Sequence, residues 1–185
     1  VTRNNNPLKG NGHNMAKFAP RTREEAVKAA LASFVNTPRF CARWTRSQFG
    51  VIALGDFDGD GAADAEDMWK AASLPHPGDT TPPAGVPVFY GGGSRDNGHA
   101  AVSLGGGMIR STDARGAGRV GTVPLDFPTR EWGMPYLGWS EDLYGHVIVS
   151  EEEARLTAWR DKLRARRANI TRRLAEIRRR LNTHK

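Results

Sequence analysis

Cys41 and His99 are the residues whose types and surroundings best suit nucleophilic chemistry. A cysteine attacks as thiolate, and thiolate is favoured at a helix N-terminus by unpaired N–H groups and the helix dipole. The residues around Cys41 predict such a place. Asn36-Thr37-Pro38 breaks one helix, and a second begins near Arg39 or Phe40 and runs to about Phe49, with Cys41 in its first turn. A histidine within reach would take the thiol proton. His99 opens a predicted strand, His99–Leu104, directly after the turn Asn97-Gly98. A third polar group must orient the imidazole. The return strand, Met108–Asp113, brings Asp113 alongside, with Ser111 as the alternative. The chemistry would be acyl transfer through a thioester, with the Cys41 backbone N–H in the oxyanion hole. The same residues also fit a core thiol and a strand histidine with a satisfied ring. His13, His76, His146 and His184 lie in turns, element ends or tails, and none carries an expected role.

A second constellation follows within about ten residues of that helix. Asp56, Asp58, Asp60, the carbonyl of Ala62, Asp64 and Asp67 occupy positions 1, 3, 5, 7, 9 and 12 of a calcium loop, with Gly61 at the sixth for the tight turn. A calcium ion wants six to eight hard oxygens from a loop that wraps it. Five clustered carboxylates repel one another unless a cation offsets them, so a solvated acidic turn fits less well. Val51–Gly55 reads as an extended turn, which predicts a single inserted loop over 56–67 rather than a pair. Calcium there would hold the Cys41 helix against the sheet.

The elements that must position these groups come in two runs. Thr22–Val35 reads as a helix, with a Thr22/Glu25 capping box and an apolar stripe through Ala26, Ala30 and Phe34. Asp67–Ser73 reads as a short helix, and Leu74–Gly85, with four prolines, as a connector. Val86–Tyr90 reads as a strand. The two strands around Gly105-Gly106-Gly107 form a hairpin, and Gly121–Trp139 supplies further strands. Helices first and a mainly antiparallel sheet second make an α+β domain over 21–148. Residues 1–20 form an arm without the basic-then-apolar layout of a secretory signal, so synthesis in the cytosol, or loss of a leader, is expected.

The chain has 185 residues, 38% of them apolar, which suits one core of ordinary size. With one cysteine there is no internal disulfide, which excludes a disulfide-stapled scaffold. The net charge of +7 sits wholly in residues 151–185, with 12 Lys and Arg against 5 acids. This tail, 150–185, predicts a long helix. Leu156, Trp159, Leu163, Ile170, Leu174, Ile177 and Leu181 match a heptad seam, interrupted at Arg166 and Arg167. A homodimer through the seam is one expectation; an anionic wall polymer or membrane surface is another. Nucleic acid is a weaker one, since the tail lacks stacking aromatics and any groove-reading motif.

The order of Cys on a helix, the apolar-aromatic strand Val86-Pro87-Val88-Phe89-Tyr90, and Gly98-His99 opening a hairpin resembles the NlpC and CHAP families of peptidoglycan hydrolases. The resemblance covers roughly residues 22–145. It implies a papain-like fold, with N-terminal helices on a small antiparallel sheet, Cys41 as nucleophile and His99 as base. Cys41 lies in Arg39-Phe40-Cys41-Ala42-Arg43-Trp44 rather than an Asp-Cys-Ser-Gly context, which leans toward CHAP. The cytosolic start and separate basic tail resemble a bacteriophage endolysin, made in the host cytoplasm and acting on the cell wall. The acidic loop, with Asp at position 12, resembles the calcium loops of dockerin modules. The contrasting expectation is a non-catalytic, calcium-dependent wall-binding or structural module assembled through its C-terminal helix.

Overall fold

The computed structural model describes residues 20–52, 55–56, 59 and 61–182. Apart from Pro20, the expected N-terminal arm lies outside them. The chain is α+β, with helices first, an antiparallel sheet next and a long C-terminal helix.

Helix α1, Arg23–Ala32, starts at the expected capping box. It stops three residues before Val35. Ser33 turns extended and its hydroxyl accepts the Trp44 indole N–H at 2.8 Å, while Val35 bridges to Arg119. Phe34 and Val35 are therefore exposed rather than part of a buried stripe, and Phe34 lies under the Arg110 guanidinium at 5.3 Å. Helix α2, Cys41–Phe49, ends at Gly50, whose left-handed φ of 67° suits a residue with no Cβ. Helix α3, Ala65–Lys70, begins two residues before its expected start because Asp64 caps it.

Six strands form one sheet in the order β1-β6-β2-β3-β4-β5, every neighbouring pair antiparallel. They are β1 Pro75–Pro77, β2 Pro87–Tyr90, β3 His99–Gly105, β4 Met108–Ser111, β5 Gly121–Pro124 and β6 Tyr136–Ser140. Strand β1 lies inside the expected connector. It sits at the sheet edge, where prolines are tolerated because no neighbour needs their missing N–H. Helix α4, Phe127–Trp132, interrupts the expected strand region between β5 and β6. The pair β7 Asp142–Leu143 and β8 His146–Val147 completes the domain, and α5 runs over Glu151–Asn182.

Strand alternation gives the sheet two covered faces. Phe89, Ala100 and Val102 pack with Ala26, Trp44, Phe49 and Met68 of the helices. Val88, Tyr90, Ala101 and Ile109 pack with Val123, Leu125, Met134 and Trp139 on the other side. Helix α2 is fastened to β3 by the buried Thr45 hydroxyl, which donates to the Ala100 carbonyl at 3.0 Å. Among the described residues no helix is long and apolar enough to cross a membrane.

Candidate active site

Cys41 is the first residue of α2, so its N–H is among the four that no helical carbonyl can take. Cys41 is partly buried as a residue, and the backbone N–H groups of Ala100 and Ala42 near its thiol favour thiolate. Burial outweighs them and, with the charges of Asp113 and Asp64, pushes the thiol above its ordinary value. The helix start and the burial thus act on the thiol in opposite directions.

His99 is buried at the start of β3, next to Ala100. The Trp132 ring meets it edge-on at 5.1 Å and Tyr90 lies at 6.0 Å. Burial pulls its pKa down to about 4, opposed by the negative charge of Asp113. Its Nε2 lies 2.9 Å from Ser111 Oγ, and the Ser111 hydroxyl donates to the Thr112 carbonyl at 3.1 Å. A hydroxyl has one hydrogen, so a Ser111 that donates to Thr112 accepts from the ring, and in that arrangement Nε2 carries the proton. Nδ1 is then the basic nitrogen, the tautomer a general base requires.

Ser111, the alternative orienting group, is thus the side chain within hydrogen-bond reach of the ring, whereas the Asp113 carboxylate bonds elsewhere. Strand β4 ends at Ser111, and Asp113 sits beyond it in a turn at φ 58° with its carboxylate accepting from Gly118 N–H at 2.6 Å. Its influence is by charge alone, and it acts on both the thiol and the imidazole.

Cys41 opens on a cleft of about 690 Å³. Arg39, Arg43 and Arg46 line one side, Gly61 to Asp64 another, and Gly93, Ser94 and Met134 close it. Arg39 and Arg43 are exposed and have no acidic partner among the described residues. Sequence reading gave no role to Trp132 and Met134, which lie more than 30 residues from both Cys41 and His99, nor to Arg39, Arg43 and Arg46, which sit beside Cys41 in the chain.

Part of the acidic loop is described. Asp56 accepts from Gly59 N–H at 2.6 Å and Gly61 N–H at 2.7 Å, which folds the loop back on its first residue. Asp64 caps α3 through Glu66 and Asp67 N–H, and the fully buried Asp67 returns a bond to Asp64 N–H at 3.1 Å. Asp58 and Asp60 lie outside the described residues. Among the described residues no three His, Cys, Asp or Glu side chains form a metal-binding group. The donors present, carboxylates and the Ala62 carbonyl, are the hard oxygens that suit calcium, and Asp56, which accepts two hydrogen bonds on about four lone-pair sites, keeps room for an ion.

The loop touches the elements that carry Cys41 and His99. Arg46 of α2 donates to the Ala63 carbonyl at 3.0 Å. Asn97, two residues before His99, donates to Asp64 at 2.7 Å and accepts from Ala65 and Glu66 N–H. Gly98 sits between them at φ 65°, where a Cβ would come 2.8 Å from Tyr90 O and 3.3 Å from Glu66 N.

No protein-family model matches the chain, and no curated protein does. Among solved structures, it is similar to a crystal structure of the P60 domain of an antigen from M. avium subspecies paratuberculosis, at 20% identity over 63% of this chain and 92% of that one, with a TM-score of 0.43.

Proposed function

We propose that the chain is a papain-like cysteine peptidase or amidase that hydrolyses an amide bond of bacterial peptidoglycan, in the manner of a phage endolysin. The observation that carries the reading is the pairing of His99 Nε2 with Ser111 Oγ at 2.9 Å, on the residue next to the Ala100 N–H that favours the thiolate of Cys41; a Ser111 hydroxyl turned to Thr112 leaves Nδ1 as the base. Both groups rest neutral, so the proton moves as the bond forms. The Cys41 thiol gives its proton to Nδ1 while sulfur attacks the amide carbon. The oxyanion turns to the Cys41 N–H. The imidazolium returns its proton to the departing amine, and water, deprotonated by His99, releases the acyl group from sulfur. The substrate class rests on the sequence resemblance. The exposed Arg39 and Arg43 suit stem peptides that carry free carboxylates.

The test is release of soluble fragments from purified peptidoglycan in calcium. Wild type releases them, Cys41→Ala is lower by at least ~10³-fold, and fragment masses name the bond. One observation favours a binding module instead: a cysteine pushed up by burial is what an inert core thiol shows. If walls of several bacterial classes release nothing, that module takes the place of the enzyme.

We also propose that the acidic loop binds one calcium ion through Asp56, Asp58, Asp60, Ala62, Asp64 and Asp67. The spacing supports it, as do the ties from Ala63 and Asp64 to the two catalytic elements. The ion would offset the carboxylates and steady both elements. Calcium is expected to raise the melting temperature by several degrees, about what ~1–2 kcal/mol does in a domain this size. Asp58→Ala should remove the effect in a calorimetric titration and in melts; an unchanged response would end the idea.

A further inference from the structure

Helix α5 has no buried residue, and every position from 155 to 182 is exposed. Its attachment is at its start, where Glu151 N–H donates to Glu24 of α1 at 2.9 Å. Yet its seven large apolar side chains, each between 44% and 64% exposed, are not scattered. On a helix turning about 100° per residue they fall within an arc of roughly 60°. Leu156 and Leu174, Trp159 and Ile177, and Leu163 and Leu181 each stand 18 residues apart, which is about five whole turns. The stripe is therefore straight. Wound at the coiled-coil period, the same residues would spread over roughly 100°.

Cations border the stripe on both sides. Arg155, Lys162, Arg166, Arg173 and Arg180 run along one flank. Arg160, Arg164, Arg167 and Arg178 run along the other. Asp161 and Glu176 lie on the far face. From 154 to 182 there are 11 Lys and Arg against 2 acids.

We propose that α5 is an interfacial helix that lies on an anionic phospholipid bilayer. Its apolar stripe enters the acyl boundary while the flanking arginines extend to the lipid phosphates. A second copy of the helix is opposed by the pattern, because cationic rows on both flanks would face like rows across the seam. A polyanion without an apolar part would satisfy the arginines and leave the stripe in water. A straight stripe between two cationic rows matches a flat surface that is apolar inside and anionic outside. The inference does not depend on the hydrolase reading.

The test is co-sedimentation of the full-length protein with phosphatidylcholine vesicles and with equimolar phosphatidylcholine–phosphatidylglycerol vesicles. Binding to the anionic vesicles should be at least ~tenfold tighter and weaken with salt. The double variant Leu163→Gln/Ile170→Gln should lose at least ~tenfold of it. Arg160→Gln/Arg164→Gln should lose most at low salt and approach wild-type binding as salt rises, with a shallower salt dependence. Unchanged helical circular dichroism would show that α5 remains helical in each variant. Three results overturn the proposal: no preference for anionic vesicles, full binding by the Leu163/Ile170 variant, or a lipid-free dimer that this variant abolishes and vesicles leave intact.

Discussion

Helices α2 and α5 both carry tryptophan and arginine on amphipathic patterns, and they meet opposite fates. In its nine residues α2 buries Ala42, Trp44, Thr45, Arg46, Gln48 and Phe49, and its polar groups find carbonyls in the domain. In its 32 residues α5 buries none. An amphipathic pattern says that a face needs cover, not what the cover is. Within the domain the cover is the sheet, and it changes the chemistry of the thiol and imidazole set against it. Outside, the cover has to come from another body, and the side chains keep their ordinary character.

If that contrast is right, perturbations near α2 should be large and those on α5 small. The largest is pH-linked. The folded protein holds His99 neutral down to about pH 4, whereas the unfolded chain protonates it near its ordinary value. Its depressed pKa thus contributes full stability above about pH 6.5, lost as pH falls through 4. Relative to His99→Gln, the wild type should lose on the order of 3 kcal/mol across that window in urea melts; parallel curves would mean the ring is not buried as described. Next, Ser111→Ala leaves Nε2–H unpartnered and should lower kcat by ~10–100-fold with little change in KM. A fall in KM-type binding alone would place Ser111 outside the relay. Asp113→Asn keeps the bond to Gly118 and removes only charge. It should change kcat by about twofold to fivefold and move the acid limb of kcat/KM to lower pH, since Asp113 raises His99. Smallest of all, Leu163→Gln/Ile170→Gln should leave the stability of the domain within ~0.5 kcal/mol. A larger loss would mean that α5 packs on the body after all.

Features set by neighbours along the chain were readable in advance. Thr22 and Glu25 cap α1, Pro38 precedes the start of α2 at Cys41, and Gly98 introduces β3 with His99 first in the strand. The hairpin around 105–107 and the extent of the tail helix were equally legible. Each depends on backbone preference and side-chain reach over a few residues, which composition and spacing carry directly. The end of α1 was not legible, because the Ser33 hydroxyl there is held by Trp44, eleven residues on. Nor was the choice between Ser111 and Asp113. Both belong to the expected strand Met108–Asp113, but β4 stops at Ser111 and the next turn carries Asp113 to Gly118. Position along the chain carries only part of the thiol's character. A helix start argues for thiolate, while desolvation by the sheet and the charges of Asp113 and Asp64 argue more strongly against it. Burial and electric field are sums over elements far apart in sequence, so they exist only once the chain has folded around Cys41 and His99.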